Sequence, residues 1–117
     1  MAGNLLQEKS YKFALRIVKL SEYLNNEKKE YVLSRKVLDS GTAIGVFIEE
    51  ASQSPDHSDF ILKYSLANKE AFKTNFWLRL LRNSEFIGKK LAASMIEDCQ
   101  ELKKLLISSL KTARSRE

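Results

Sequence analysis

The sequence has few of the residues that interrupt helices or carry out chemistry. Its 117 residues include one proline, four glycines, one cysteine and one histidine. A lone cysteine excludes an internal disulfide and zinc sites of the Cys₂ or Cys₄ type. Because proline and glycine are the residues least compatible with helix interiors, their scarcity favours long regular elements.

Long apolar runs are also missing. No run of 18 apolar residues occurs, and residues 1–10 lack the apolar segment of a signal peptide. Membrane-spanning helices and secretory signals both need such segments. We therefore expect a cytoplasmic protein with no membrane partner.

Residues that could support catalysis or metal binding are isolated from one another. His57 is the only histidine, so the paired Glu-x-x-His units of a ferritin-like di-iron bundle cannot form. Asp56 and His57 lie in a serine-rich loop, which would not fix the geometry of a nucleophilic triad. Glu49 and Glu50 are adjacent on a predicted helix and do not face each other, so capping or an ion pair is their expected role. We predict no enzymatic activity, no metal and no cofactor.

Four stretches carry apolar residues at helical spacing. In the strongest, from Phe60 to Leu81, the apolar seam advances in steps of four and three residues. The sequence predicts helix 1 from Leu5 or Ser10 to Leu24 and helix 2 from Glu27 to Ala51. Helix 3 should run from a cap at Ser54, which Pro55 follows, or at Ser58, to Arg82, and helix 4 from Lys89 to Ala113. Residues 114–117 should fray. Four long helices with short loops predict one all-α domain over residues 1–117, an antiparallel up-down four-helix bundle.

The predicted core consists of the inward positions of these helices. They are Phe13, Ile17, Leu20 and Leu24 in helix 1; Leu33, Val37, Ser40, Ile44, Ile48 and Ala51 in helix 2; Phe60, Tyr64, Ala67, Ala71, Thr74, Leu78 and Leu81 in helix 3; and Leu91, Met95, Cys99, Leu102, Leu106 and Leu110 in helix 4. Gly41 and Gly45 flank the helix 2 seam, and each costs about 1 kcal/mol relative to alanine. Close approach of a neighbouring helix would explain them, and a kink in helix 2 is the alternative.

Helices 1 and 3 carry more apolar residues than one core-facing stripe requires. The surplus residues are Tyr11, Leu15 and Val18 in helix 1 and Leu62, Phe72, Phe76, Trp77 and Leu80 in helix 3. An exposed apolar patch of this extent usually marks an interface. We predict a homo-oligomer held together by these residues, and isolated surface aromatics are the alternative.

The charge is mildly basic, at +5. Candidate nucleic-acid contacts are a stripe on helix 1 and two residues of helix 3: Lys9, Lys12, Arg16 and Lys19, with Arg79 and Arg82. Because no base-reading motif accompanies them, binding to RNA or DNA would be electrostatic and weakly sequence-specific. The alternative is a solvated basic face on a scaffold that contacts a protein partner.

Several fragments, in order along the chain, resemble the four-helix-bundle family named for the 23S rRNA intervening-sequence protein. They are Phe13–Val18, Ser40–Gly45, Ile48–Ala51, Ser58–Phe60, Ala67–Ala71, Trp77–Leu81, Glu101–Leu106 and Lys111–Ala113. The resemblance implies an up-down bundle that assembles as a homopentamer. Some members are encoded within 23S rRNA genes, and a related group serves diversity-generating retroelements, where the pentamer binds reverse transcriptase and nucleic acid.

The chain departs from this family's pattern at two places on helix 2. Asp39 stands where the family often has a basic residue, which weakens the nucleic-acid interpretation. Val46 and Phe47 stand where the family often has a small residue and then asparagine, and Phe47 favours packing or an interface. The resemblance carries over no enzymatic activity.

Overall fold

Four helices make up almost all of the chain that the computed structural model describes, which is residues 2–116, with side chains for residues 5–116. They are α1 (Ala2–Glu27), α2 (Val32–Ala51), α3 (His57–Asn83) and α4 (Lys89–Arg114). Each helix packs on the next and α4 packs back on α1, so α1 and α3 occupy diagonal corners. No strand occurs in these described residues. The predicted all-α four-helix bundle is confirmed.

The junction between α1 and α2 differs from the prediction. α1 continues to Glu27 instead of ending at Leu24, and α2 begins at Val32. The chain turns at Lys29, whose φ of 53° lies in the left-handed region. The Glu30 N–H then donates to the Leu24 carbonyl at 2.9 Å, and the Glu30 carboxylate accepts a backbone N–H in the first turn of α2 at 2.8 Å. These contacts satisfy groups that helix ends otherwise leave unpaired.

Other helix ends differ by a few residues. α1 begins at Ala2 rather than at Leu5 or later, whereas α4 begins where predicted. The cap of α3 is Asp56 and neither of the candidates Ser54 and Ser58, because the Asp56 carboxylate accepts the Asp59 N–H at 2.8 Å. In the tail, where fraying is predicted, residue 114 is still helical and residues 115–116 form a turn. Residues 1 and 117 lie outside the described residues.

One buried core takes side chains from all four helices, and it contains most of the predicted inward positions. Leu33 and Phe60 are only half-buried at its margin. The inward prediction for Leu91 is wrong, since this side chain is 39% exposed and Ala92 is buried instead. Ala92 lies three residues before Met95 and continues the three- and four-residue steps of the buried α4 positions, whereas Leu91 is rotated about 100° away from Ala92.

Buried hydroxyls cross the core in pairs. Thr74, the one polar member of the α3 seam, lies 2.9 Å from the Ser40 hydroxyl of α2. Ser21 of α1 lies 2.8 Å from the Ser34 hydroxyl of α2. A buried hydroxyl without a partner costs about 1–3 kcal/mol, so each pair removes a penalty and fixes two helices in register.

The α1 and α2 helices approach closely at Gly41. A Cβ added at Gly41 would lie 2.7 to 2.9 Å from three carbons of the fully buried Ile17 side chain. At Gly45, one turn further along, the nearest atoms belong to Ser10 and lie 3.5 Å away. The predicted approach of a neighbouring helix is confirmed, and α2 continues unbroken past both glycines.

The two glycines form a matched pair for a stability test. Gly41→Ala should lower the free energy of unfolding by about 1–3 kcal/mol, because the new methyl group overpacks against Ile17. Gly45→Ala should leave stability unchanged or raise it by up to about 1 kcal/mol through helix propensity. Urea denaturation followed by circular dichroism measures both, and an equal effect of the two substitutions would contradict the close approach at Gly41.

Cys99 lies in the core, as predicted, with its side chain fully buried. Its thiol donates to the Ala71 carbonyl of α3 at 3.2 Å. Burial raises the pKa of the Cys99 thiol from 9.0 to about 12. The neutral thiol therefore persists at neutral pH and fills space as a small apolar group.

The thiol should resist labelling in the folded protein. At pH 9 an ordinary thiol is about half ionised, whereas Cys99, with a pKa of about 12, stays protonated. The thiolate is the form that reacts with a disulfide reagent. At pH 9 such a reagent should therefore label the native protein at a rate about tenfold or more below that of the protein unfolded in urea. Fast stoichiometric labelling of the native protein would show that Cys99 is accessible.

Candidate assembly and nucleic-acid interfaces

The outer face of α1 carries the three apolar residues that the sequence assigns to an interface. Tyr11 is 60% exposed, Leu15 51% and Val18 40%. Their steps of four and three residues place them on one side of the helix. Nothing else in the described chain covers this side, and burying it against another surface would be favourable.

The outer face of α3 carries the second set, and the structure divides it in two. Leu62, Phe72 and Phe76 are at least 46% exposed. Trp77 and Leu80 are half-buried, and Trp77 packs against the core. The Phe76 ring meets the Trp77 ring edge-on, with centroids 5.2 Å apart. Trp77 therefore links the exposed Phe76 ring to the core.

The two apolar faces point away from each other. Because α1 and α3 occupy diagonal corners of the bundle, one molecule cannot cover both faces by folding onto itself. If two copies meet through unlike faces, each copy keeps one face free for a further copy. Such head-to-tail contacts close into rings or continue as filaments.

The basic stripe on α1 is largely neutralised by carboxylates. The pairs are Lys9 with Glu101 at 3.0 Å, Arg16 with Asp98 at 2.7 Å, and Lys12 with Glu8 at 3.3 Å. Partly exposed pairs of this kind stabilise a protein by only about 0–1 kcal/mol each. Their main consequence is electrostatic, because only Lys19 of the stripe is without a carboxylate partner among the described residues.

The cations at the end of α3 are held by neutral groups. Arg79 donates to the Asn75 amide oxygen at 3.0 Å, and its guanidinium lies 5.7 Å from the centre of the Phe76 ring. Arg82 donates to the Asn83 amide oxygen at 2.9 Å. Since these partners carry no charge, both guanidinium groups retain their full attraction for a phosphate. Of the predicted contacts, Arg79, Arg82 and Lys19 thus keep the most favourable electrostatics.

His57 and Glu50, which lie outside these surfaces, connect neighbouring helices. A ring nitrogen of His57 lies 2.8 Å from the Ala113 carbonyl, which ties the start of α3 to the end of α4. Glu50 pairs with Lys63 of α3 at 3.3 Å, so the predicted ion pair with a neighbouring helix is confirmed.

Among the described residues, no three histidine, cysteine or acidic side chains are grouped as metal ligands would be. No described helix is long and apolar enough to cross a bilayer.

Sequence reasoning missed the contribution of α4 to these surfaces. Asp98 and Glu101 lie one helical turn apart, and both reach the basic stripe of α1. Their spacing in the sequence resembles that of any solvated helix face. The pairing depends on the rotation of α4 in the bundle, which is set by its buried residues.

Comparison with known proteins finds a family model and solved structures that are similar to this chain. The family model described as 23S rRNA-intervening sequence protein matches residues 4–108. A crystal structure of a protein of unknown function, from the S23 ribosomal protein family of Bacteroides thetaiotaomicron, is similar with a TM-score of 0.94 and 46% sequence identity. That similarity covers 95% of this chain and 99% of the other chain. No curated protein matches.

Proposed function

We propose that this chain, which belongs to the 23S rRNA-intervening sequence protein family, is a non-enzymatic homo-oligomer that binds nucleic acid with little sequence specificity. The observation that carries the proposal is the pair of exposed apolar faces on diagonal helices. A chain that acted alone would have no physical reason to keep both faces apolar. Such a protein would act in the cytoplasm, without a cofactor or a membrane partner.

In the proposed assembly, the α1 face of one copy packs against the α3 face of the next. The α1 face offers Tyr11, Leu15 and Val18, and the α3 face offers Leu62, Phe72, Phe76, Trp77 and Leu80. Aromatic residues of this kind often dominate the binding energy of interfaces. The contact is head-to-tail, which permits a closed ring, and the family resemblance implies a ring of five copies.

Nucleic-acid binding follows from the cations that the ring would repeat. Lys19, Arg79 and Arg82 would contribute most, because they lack carboxylate partners among the described residues. Lys9, Lys12 and Arg16 would contribute less, because each already faces a carboxylate. Repetition of a weak contact around a ring raises the overall affinity through avidity.

Assembly can be tested by placing a charge in the α3 face. Phe72→Glu should convert the oligomer to a chain of 13.4 kDa in multi-angle light scattering, because a buried carboxylate opposes the contact. The fold should survive, since Phe72 is 65% exposed and Lys103 lies 5.0 Å from its ring, ready to pair with the new carboxylate.

Val32→Glu is the matched control for this substitution. Val32 is 68% exposed and is the first residue of α2, which contributes no residue to either proposed face. This variant should assemble as the original chain does. A monomeric original chain at micromolar concentration, or unchanged assembly of Phe72→Glu, would contradict the proposed interface.

Nucleic-acid binding can be tested by a salt titration. The association constant K for RNA or single-stranded DNA should fall steeply as salt is added. In the double variant Lys19→Gln with Arg82→Gln, the slope of log K against log salt should become shallower by about 0.7 for each phosphate that is no longer neutralised. Lys12→Gln, the control, should change the slope little because Lys12 already pairs with Glu8. An affinity that is independent of salt would refute binding through phosphate contacts.

A groove between α1 and α4 favours a second candidate function, that of an adaptor for a protein partner. It has a volume of about 330 Å³ and is lined by Arg16, Lys19, Leu20, Tyr23, Leu91 and Met95. Mixed apolar and basic walls suit an amphipathic segment with acidic residues. Reverse transcriptase is the partner that the family resemblance implies. Saturable binding of such a partner, combined with no binding of nucleic acid, would favour this function.

A further inference from the structure

A second groove lies between α3 and α4, towards the end of α4. It has a volume of about 500 Å³, within the usual range of small-ligand sites. Its walls are formed by Ser65, Asn68 and Lys69 of α3 and by Ile107, Leu110, Lys111 and Arg114 of α4. None of these residues belongs to the apolar faces or to the candidate nucleic-acid contacts described above.

The charge of this groove is of one sign. Lys69, Lys111 and Arg114 line it, and no carboxylate does. None of the three makes an ion pair with a described residue. Arg114 instead donates to the Ser65 hydroxyl at 3.2 Å, which holds the guanidinium across the groove. Three cations around one space, with no internal counter-charge, are suited to an anion such as a phosphate.

The groove also contains an unused acceptor and an apolar surface. The side-chain oxygen of Asn68 is buried and accepts no hydrogen bond from the described residues. Buried polar atoms of this kind normally have a partner, so a ligand N–H would remove a penalty. Ile107 is 51% exposed beside the buried Leu110, which provides an apolar wall for a flat ring. A simple anion would leave this wall uncovered.

We propose that the α3–α4 groove binds a nucleoside monophosphate, either free or as the terminal nucleotide of a strand. The phosphate contacts Lys69, Lys111 and Arg114. The base lies against Ile107, and an N–H on its edge donates to Asn68. If the ligand is the free nucleotide, this proposal is independent of the nucleic-acid binding proposed above. If the ligand is the end of a strand, this proposal rests on that nucleic-acid binding.

Calorimetric titration of the full chain with AMP and with inorganic phosphate tests the proposal. AMP should bind saturably and about tenfold more tightly than phosphate, because only the nucleotide covers the apolar wall and satisfies Asn68. The double variant Lys111→Ala with Arg114→Ala should lose about tenfold or more in affinity for both ligands. Lys104→Ala, an exposed lysine of α4 outside the groove, is the matched control and should bind AMP normally.

Asn68→Leu separates base recognition from charge. It should lower AMP affinity towards that of phosphate, because the base keeps only its contact with the apolar wall, and it should leave phosphate affinity unchanged. Its thermal stability should not fall, because a buried unpaired oxygen is removed. Competition between AMP and an oligonucleotide with a 5′-terminal phosphate would identify the strand terminus as the ligand, and its absence would identify the free nucleotide.

Three results would overturn the proposal. They are equal affinity for AMP and phosphate, no saturation at millimolar AMP, and unchanged AMP binding by the double variant. The double variant Lys19→Gln with Arg82→Gln should still bind AMP. Loss of AMP binding would therefore count against this proposal, whereas an unchanged salt dependence of nucleic-acid binding would count against the proposed function.

Discussion

The structure depends on one geometric constraint: each helix of a four-helix bundle can turn only one stripe towards the shared core. On α3 that stripe is occupied at Tyr64, Ala67, Ala71, Leu78 and Leu81, all buried. Every other large apolar residue of α3 must therefore lie outside the core or at its margin. The same constraint acts on α1, and it leaves apolar residues exposed at two diagonal corners. The apolar faces are thus a consequence of the bundle geometry combined with this sequence.

The same geometry decides which cations remain available. The seam of α4 sets the rotation of that helix, and the rotation places Asp98 and Glu101 against α1. The basic stripe of α1 then helps to close the bundle at the contact between its first and last helices. The guanidinium groups of Arg79 and Arg82 have amide oxygens and an aromatic ring as partners and form no ion pair with a described residue, so their charge is not cancelled.

Periodicity in the sequence was sufficient to predict the four helices and nearly all of the core, because these features depend on repeated spacing that many residues support. The close approach of α1 and α2 was predicted from the two glycines of α2, and the structure places it at Gly41. The sequence could not show that Asp56 caps α3, because Ser54 and Ser58 carry side chains that could accept the same kind of hydrogen bond. It could not show that Ala92 takes the place of Leu91 in the core, because both residues lie at helical spacing from Met95. Nor could it show the pairing of Arg16 with Asp98, since that contact joins residues 82 positions apart. The residues of the apolar faces and of the basic stripe could therefore be predicted from the sequence, but the charge that remains on the stripe after ion pairing could not.

Salt should act in opposite directions on the two proposed properties. A ring of copies that each carry a net charge of +5 repels itself, so apolar contacts must hold it together against that repulsion. Added salt screens the repulsion and leaves apolar burial intact, which favours assembly. The same salt weakens every phosphate contact by reducing the gain from counterion release. Bound nucleic acid would neutralise the cations of neighbouring copies and would therefore stabilise the proposed ring at low salt, which would link the two proposed properties thermodynamically.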